Sequence, residues 1–318
     1  MRVLVTGAAG FVGQWLCSAL LARGDVVTGT RLDASPPSTG RGQGDGAAMR
    51  WRRVDLRDRD AVVAVLDEVR PEVVFHLAGV TFLPAAAADP GQAYEVNVVA
   101  AARLLGAIAG LRATSGLDPV VLVVGSGEQY GRHDRTGPLP ESAEQRPLTV
   151  YGASKVGQEA ASLQLWRSTG LRVICTRSFN HTGPGQPDHL LVPALVRRAL
   201  ALRGTADPRL PIGNTTPVRD FLHVRDVVDA YLLLAERGVA GEAYNVASGV
   251  GRSVGDLAEL VLRRAGVDAA LEPVAEFMRP VDLPVLVGDS TKLRAATGWS
   301  PRSGIEHAID ELIDAAAR

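Results

Sequence analysis

The sequence has little of three things that would each define a class of protein. It contains two cysteines, Cys17 and Cys175, far apart in apolar stretches, so we expect free core thiols and a reducing cytoplasm. The formal net charge is -1, so no long-range field attracts nucleic acid or a membrane surface. The most apolar run, 96–111, contains Asn97 and Arg103 and is too short to span a bilayer. The six histidines show no metal-ligand spacing, so we expect no metal site.

The overall composition is that of an ordinary soluble enzyme. Of the 318 residues, 46% are hydrophobic and 22% are charged. This length predicts one large α/β unit or two closely joined lobes. A strand pattern begins directly after Met1, which predicts a chain without a signal peptide.

The N-terminal segment combines a strand, a glycine-rich turn and a helix. Residues 2–6 are typical of a buried strand, and residues 14–23 have a helical pattern. A turn with this placement can hold a dinucleotide pyrophosphate, because glycines allow close backbone approach and a helix N-terminus offers N–H donors. A plain tight turn is the alternative. The predicted cofactor contacts here are Gly7, Gly10, Phe11, Val12 and Gly13.

The end of the second strand, residues 25–30, bears on the choice of cofactor. An NAD site usually has an acidic residue there, but Arg31 follows the strand instead. An arginine can pair with a 2′-phosphate, so NADP(H) is favoured. NAD(H) remains possible because Asp33 could bind the ribose.

The third and fourth strands add further candidate cofactor residues. Asp55 and Leu56 end the third strand; Asp55 either accepts from the adenine amino group or caps the helix 60–69. The fourth strand, 71–77, leads into small residues that would let the backbone lie against the cofactor. Its candidate contacts are Leu77, Ala78 and Gly79, whereas His76 and the later Asn97 are predicted to be structural.

The reactive candidates follow the fifth strand, residues 120–124. Ser126 and Glu128 fall just beyond its carboxyl end, where ligands bind in a doubly wound sheet. Tyr151 and Lys155 are four residues apart, so on a helix they share one face. An ammonium beside a phenol lowers the phenol pKa and suits it to proton transfer. The chain has only one other lysine, Lys292, which looks structural; an exposed surface pair is the alternative for Tyr151 and Lys155.

The element order predicts the fold class and its division. Strands and helices alternate, which favours a Rossmann-like, doubly wound parallel sheet with a smaller C-terminal substrate-binding lobe. We expect residues 1–177 to form the dinucleotide-binding domain, with 218–240 returning to it. Residues 178–217 and 241–318 would form the smaller substrate-binding lobe.

With its glycines, Ser126 and the Tyr151/Lys155 pair in this order, the chain resembles the extended short-chain dehydrogenase/reductase family over essentially its whole length. Within that family it looks most like the GDP-mannose 4,6-dehydratase and GDP-4-keto-6-deoxymannose reductase branch. The segments 177–186 (RSFNHTGPGQ), 218–221 (VRDF) and 279–284 (RPVDLP) carry this resemblance.

The resemblance implies a role for each matched residue. Ser126 would hydrogen-bond the sugar C4 oxygen, Tyr151 would be the acid/base, and Lys155 would bind the nicotinamide ribose. In the dehydratases a glutamate at the place of Glu128 moves the proton at C5. The substrate contacts would be Asn180 near the diphosphate and Arg219 and Arg279 on the phosphates.

The resemblance also implies an activity and partners. It favours NADPH-dependent reduction of a GDP-4-keto-6-deoxyhexose in deoxysugar nucleotide biosynthesis. The alternatives are a dehydratase acting on GDP-mannose, a 4-epimerase, and a binder without turnover. Family members often dimerise through helices like 93–111 and 151–168, so a homodimer is expected, although burial within one chain explains the same apolar pattern.

Overall fold

The computed structural model describes residues 1–32, 49–134, 136–278 and 282–317. The strands are β1 Arg2–Thr6, β2 Val26–Arg31, β3 Arg50–Arg53, β4 Val73–His76, β5 Val120–Ser126, β6 Arg172–Ser178, β7 Asn180–Thr182, β8 Arg209–Ile212, β9 Val218–His223, β10 Ala243–Val246, β11 Gly251–Ser253, β12 Ala270–Pro273 and β13 Val285–Leu286.

The α-helices lie between these strands and after them. They are α1 Phe11–Ala22, α2 Arg59–Val69, α3 Leu83–Ala88, α4 Pro90–Tyr94, α5 Ala100–Ser115, α6 Val150–Thr169, α7 Leu191–Ala201, α8 Val224–Arg237, α9 Val254–Ala265, α10 Thr291–Thr297 and α11 Ile305–Ala316. A π-helix, Glu95–Val99, joins α4 to α5, and short 3-10 helices span Gly127–Gln129 and Ala275–Phe277.

The predicted parallel sheet is confirmed. Among the described residues it has seven strands in the order β3-β2-β1-β4-β5-β6-β10, and every neighbouring pair is parallel. Two consecutive strands, β3 and β4, lie on opposite sides of β1. This reversal opens a crevice at the carboxyl ends of the strands, the usual ligand site of doubly wound sheets.

Helices cover both faces of this sheet, because its strands are apolar on both sides. On one face, Val227 and Tyr231 of α8 share one core with Val3 of β1. On the other face, α2 and α5 pack Leu66 and Leu104 against Leu4, and part of α6 joins them. The cysteines are free and buried, one in each of these two cores.

The second lobe has its own core and its own small sheets. Strands β11, β9 and β13 form one sheet, to which β7 is joined through β9, and β12 pairs with β8. Helices α7, α9 and α11 bury apolar faces against one another. Within the returning segment 218–240, α8 covers the main sheet, whereas β9 belongs to the small one.

One strand lies on the other side of the predicted boundary at residue 241. Residues 243–246, assigned from sequence to the second lobe, form β10 and pair in parallel with residues 175–178 of β6. Their main-chain groups thereby complete the edge of the main sheet. The four residues are all buried, and Tyr244 and Val246 join the core beneath α8.

The long apolar helical stretch contains a local irregularity. The pattern at 93–111 predicts one continuous helix, but a π-helix interrupts it around Asn97. Asn97 is fully buried, accepts from the Val80 amide at 2.8 Å, and donates to the Val80 carbonyl and to Ser154 Oγ. The predicted structural role of Asn97 is therefore confirmed.

The helical stretch 90–115 is also long and apolar enough to cross a membrane. Its α5 part, however, packs against α2 and α6 and contributes Leu104 and Ile108 to the core of the main sheet. Core helices of soluble proteins pass the same test of length and composition. The contacts place α5 in the core of the main sheet, although only 39% of the most apolar window is buried.

Candidate active site

The glycine loop between β1 and α1 is folded closely against the end of β4. Gly7 has a φ of 69°, and a Cβ on it would lie 2.8 Å from the Ala78 amide nitrogen. A Cβ on Gly13 would lie 2.4 Å from the Gly7 carbonyl oxygen. Helix α1 begins at Phe11, with Gly10 at its N-cap, no capping side chain and no acidic residue in its first turn. These residues, with Val12 in the same turn, fit a pyrophosphate, because the first N–H groups of the helix and its dipole face the loop.

The segment after β4 joins this loop to the catalytic helix. The Leu77 amide donates to the Thr6 carbonyl, and the Ala78 amide donates to the Thr6 hydroxyl. A Cβ on Gly79 would lie 2.8 Å from Asn97 Oδ1 and 3.5 Å from Lys155 Nζ. The three residues predicted to lie against a cofactor therefore connect the glycine loop with the surroundings of Lys155.

Arg31 lies at the carboxyl end of β2, as predicted. Its guanidinium stacks over the Trp51 ring at 5.3 Å, and Trp51 pairs with Gly29 across β2 and β3. Arg53 lies opposite Arg31 in the pairing of β2 with β3, and its Nε donates a hydrogen bond to the Leu32 carbonyl. Sequence reasoning did not single out Trp51 or Arg53, because their contacts with Arg31 and Leu32 depend on the pairing of β2 with β3. Asp33, the alternative ribose contact, lies outside the described residues.

Asp55 does not cap the helix that follows it. Asp58 is the N-cap of α2 and accepts from the amides of Asp60 and Ala61. Asp55 instead forms an ion pair with Arg57. The hydrogen bonds from Arg57 lower the pKa of the Asp55 carboxyl. The adenine contact stays a prediction for Asp55, and a cofactor contact stays a prediction for its neighbour Leu56, which is buried.

Ser126 ends β5 and starts a tight turn that also carries Glu128. The Glu128 amide donates to Ser126 Oγ at 3.2 Å, and the Ser126 amide donates to Gln129 Oε1 at 2.8 Å. Ser126 also hydrogen-bonds the hydroxyl of Tyr151, and Glu128 lies close enough for its charge to act on that hydroxyl. The structure thus brings three predicted reactive residues together at the sheet edge.

Tyr151 and Lys155 lie one turn apart on α6, both buried. The expected lowering of the phenol pKa is wrong for this structure. Burial raises the pKa of Tyr151 to about 12; the Ser126 hydrogen bond opposes this rise, and the charge of Glu128 adds to it. The ammonium of Lys155 instead donates to the Val124 carbonyl at 2.8 Å and to Gln158 Oε1 at 2.9 Å.

Lys155 stands in a mostly neutral pocket. Burial lowers its pKa to about 8. Burial lowers the pKa of His76 to about 3, and the nearby charge of Lys155 contributes a smaller part of this change. The His76 ring bonds Thr6 Oγ1 at 2.8 Å, as expected of a core histidine. Gln158 was missed from sequence, because nothing in its spacing distinguishes it from other helix residues.

The substrate candidates lie on the small sheet beside this site. Phe179 packs under Gly127, and Asn180 follows it in β7, where its side chain donates to the Asp220 carbonyl at 3.3 Å. Arg219 on β9 is buried and forms an ion pair with Asp282. Asn180 and Arg219 thus share one sheet, whereas Arg279 lies outside the described residues.

Two histidines far apart in sequence come together near the end of α11. His223, His307 and Glu311 place one potential ligand atom each within 4.8 Å of one another. The Arg225 amide, however, donates to His223 Nδ1, so the neutral ring carries its proton on Nε2 and donates to Glu311 at 3.1 Å. These hydrogen bonds account for His223 as the cap of α8, and Glu311 is also paired with Arg225 at 3.1 Å.

A cavity lies at the opposite end of the sheet from the reactive residues. Its volume is about 700 Å³, and its lining includes Arg2, Arg70 and Arg172, near the amino ends of β1, β4 and β6. Arg70 donates a hydrogen bond to the Ser115 hydroxyl, and Arg172 forms an ion pair with Asp118. The reactive side chains are at the carboxyl ends of the strands, so the chemistry does not belong to this cavity.

A doubly wound sheet with a pyrophosphate loop after β1 and a buried Tyr–Lys helix after β5 defines an extended short-chain dehydrogenase/reductase. The chain matches the family described as GDP-mannose 4,6 dehydratase over residues 4–312, and it belongs to that family. It is therefore an NAD(P)-dependent enzyme that acts on nucleotide sugars.

Individual relatives span several activities. The chain is 32% identical to GDP-6-deoxy-D-mannose reductase of Pseudomonas aeruginosa, over 98% of this chain and 96% of that protein. It is 31% identical to a UDP-glucose 4-epimerase of Mycolicibacterium smegmatis, covering 99% and 98%. Among solved structures, RMD from Pseudomonas aeruginosa complexed with NADPH superposes with a TM-score of 0.82 at 30% identity, covering 99% of this chain and 98% of that one.

Proposed function

We propose that the enzyme reduces the 4-keto group of a GDP-4-keto-6-deoxyhexose with NADPH, in deoxysugar nucleotide biosynthesis. The observation that carries the proposal is the buried Tyr151 of α6, placed beside Ser126 at the carboxyl end of β5. Reduction of a ketone needs a proton donor at the developing alkoxide. Burial raises the pKa of the Tyr151 phenol, so at neutral pH it carries the proton that such a donor must supply.

Each residue then has a defined part in the reaction. The cofactor, when bound, supplies a hydride to C4 of the sugar. The Ser126 hydroxyl donates a hydrogen bond to the C4 oxygen and orients the carbonyl. Tyr151 transfers its hydroxyl proton to that oxygen as negative charge develops, which yields the alcohol. The tyrosinate that is left takes a proton back from solvent, and Lys155 would bind the nicotinamide ribose of the cofactor.

The GDP group and NADPH are the finer parts of the proposal. Similarity to the Pseudomonas reductase over nearly the whole chain supports a GDP-linked sugar. Asn180 and Arg219 on the small sheet would bind the diphosphate after Arg219 exchanges Asp282 for phosphate oxygens. Arg31, stacked on Trp51 at the end of β2, supports recognition of a 2′-phosphate.

The test is direct. The purified enzyme is mixed with GDP-4-keto-6-deoxymannose and NADPH, and NADPH absorbance is followed while the product is identified by mass spectrometry and NMR. We expect NADPH consumption matched by formation of a GDP-6-deoxyhexose. A folded, NADPH-binding sample that leaves the keto sugar unchanged would overturn the proposal.

A second candidate is supported by the proximity of Glu128 to Tyr151. A dehydratase oxidises C4 first, and a carboxylate near the reacting ring then takes the C5 proton and helps the C6 hydroxyl to leave. Such an enzyme converts GDP-mannose without net use of added cofactor. Formation of a 4-keto-6-deoxy product from GDP-mannose alone would favour it, whereas interconversion of two C4 epimers would favour an epimerase.

We further propose that the enzyme is a homodimer. Only 39% of the most apolar window of helix 90–115 is buried, and Val99 is 39% exposed. The neighbouring helix α6 presents a partly exposed surface beside it, so a second copy could bury both. Sedimentation equilibrium should give twice the chain mass, and Val99→Asp should shift the equilibrium toward monomer without loss of folded structure.

A further inference from the structure

A buried charged pair lies beneath the Ser126 turn. Glu159 on α6 and Arg177 on β6 are 5% and 6% exposed and form two hydrogen bonds, Nε to Oε2 at 2.9 Å and Nη2 to Oε1 at 2.6 Å. Gln129 reaches into this pair from the turn, and its Nε2 donates to Glu159 Oε2 at 2.8 Å. The reaction steps proposed above make no use of these three residues.

The pair fixes which way the Gln129 amide points. A carboxylate only accepts hydrogen bonds, so the amide must present its NH₂ group to Glu159. Its oxygen then faces the other way and accepts from the Ser126 amide at 2.8 Å. The Gln129 side chain thus bridges the ionised carboxylate of Glu159 and the Ser126 amide. This bridge fixes the position of the Ser126 backbone.

Arg177 keeps Glu159 ionised despite its burial. Burial alone would raise the Glu159 pKa, but the hydrogen bonds and charge of Arg177 outweigh it and hold that pKa below its ordinary value. Arg177 is itself held by the Tyr130 hydroxyl and the Glu141 carbonyl, both at 2.9 Å. The Glu159–Arg177 pair therefore joins α6 and β6 to the segment after Ser126.

We propose that Gln129 and the Glu159–Arg177 pair are positioning residues, which set the Ser126 hydroxyl against the Tyr151 hydroxyl through the Ser126–Gln129 hydrogen bond. The proposal rests on the proposed function only in assigning Ser126 to the reacting carbonyl. The link between α6 and the turn is specific: Glu159 lies one helical turn beyond Lys155, so the same helix that carries Tyr151 also orients its partner.

The first test is a set of double-mutant cycles on kcat, with whichever nucleotide sugar the wild-type enzyme turns over. We expect Gln129→Met and Glu159→Gln each to lower kcat about tenfold with cofactor affinity unchanged, because a small misplacement costs much rate. In a Ser126→Ala background the same changes should cost less than about twofold, because the residue through which they act is gone.

Gln145→Met is the matched control. Gln145 donates to the same carboxylate, Glu159 Oε1, at 2.8 Å and accepts a longer hydrogen bond of 3.4 Å from Gln129 Nε2, but it makes no hydrogen bond to Ser126. This variant should lose some stability and keep kcat. Should Glu159→Gln fail to fold, Gln129→Met and this control decide the question.

The second test needs no turnover. Amide hydrogen exchange at residue 126 is measured in the cofactor-free protein, where the Ser126 amide is bonded to Gln129. Exchange should rise at least tenfold in Gln129→Met and Glu159→Gln relative to Gln145→Met. Equal exchange in all three variants, or losses of kcat that multiply with Ser126→Ala, would overturn the proposal; a wild-type enzyme inactive on the keto sugar would overturn the proposed function alone.

Discussion

Gly7 and Ala78 approach so closely that a single added methyl group on Gly7 would lie 2.8 Å from the Ala78 amide nitrogen. Gly7 therefore meets two constraints, a positive φ and a steric limit. Gly24 has a φ of 81°, but a Cβ added to it would have no neighbouring atom within 4 Å, so Gly24 meets only the first constraint. Alanine substitutions at Gly7 and Gly24 therefore distinguish the cost of backbone strain from the cost of a steric clash.

We predict that Gly7→Ala destabilises the enzyme more than Gly24→Ala does. The φ penalty, about 1–2 kcal/mol, is common to both, and the clash with the end of β4 adds to it only at residue 7. Urea unfolding measures the stability loss, and fluorescence titration with NADPH measures binding, which only Gly7→Ala should weaken. Equal losses in the two variants would contradict a steric role for this contact.

Arg31→Ala should change cofactor preference. If Arg31 pairs with the 2′-phosphate, its loss raises the KM for NADPH by roughly 10- to 100-fold, typical of a charge-assisted hydrogen bond, and leaves the KM for NADH nearly unchanged. Arg52→Ala is the control, because Arg52 pairs with Glu68 on the surface. A parallel rise for both cofactors would show that Arg31 acts on the shared part of the dinucleotide.

Tyr151→Phe should nearly abolish turnover while it keeps the fold. The ring fills the same buried space, but no proton is available for the C4 oxygen, so kcat should fall about 10²- to 10⁴-fold. Thermal unfolding and NADPH affinity should stay close to those of the wild type. Residual activity above a tenth of the wild-type rate would point to another proton donor.

His76 should make stability depend on pH. Burial and the charge of Lys155 lower its pKa from 6.5 to about 3, so between these values the unfolded chain binds more protons than the folded one. Stability therefore falls as the pH falls from 6.5 toward 3. The loss from pH 6.5 to 5 is roughly 2 kcal/mol, at about 1.4 kcal/mol per unit.

His76→Asn should remove this component, so urea unfolding at the two pH values should show a smaller drop than in the wild type. His189→Asn, at an exposed position, should keep the wild-type slope. Identical slopes in all three proteins would mean that His76 becomes protonated without cost.

Glu128→Gln distinguishes the two enzymatic candidates. Reduction uses the Tyr151 proton, so the variant should keep reductase kcat within about tenfold of the wild type. Elimination needs the carboxylate as a base, so any conversion of GDP-mannose should disappear. Both reactions are followed by product analysis on one protein preparation. Loss of reduction together with an intact fold would show that Glu128 takes part in the reductive step as well.

Local patterns were sufficient to predict the sheet, the glycine loop and the Tyr151/Lys155 helix. Each of these features is encoded by neighbouring residues, since strand, turn and helix spacing all lie within one short segment. The order of the motifs then fixed the resemblance to a family. Asn97 and His76 were also predicted correctly as structural, because polar groups inside apolar runs usually satisfy backbone or neighbouring donors.

The features that sequence reasoning missed depend on distant partners. Gln129, Glu159 and Arg177 meet only after folding, with separations of 30 and 18 residues along the chain. The pKa of Tyr151 was predicted in the wrong direction because burial outweighs the other effects and the Lys155 ammonium is bonded elsewhere. Strand β10 has four residues, too few for a pattern to reveal its partner.

Strand β10 has a consequence for any attempt to divide the enzyme. A fragment ending at residue 240 would contain the glycine loop, Tyr151 and Lys155, but it would leave one edge of β6 without its neighbour. An uncovered edge of a parallel sheet recruits other chains, so such a fragment should aggregate. Because the polypeptide leaves the main sheet after β6 and comes back to finish it, the halves are interdependent, and swapping sugar-binding lobes between relatives requires two matched junctions.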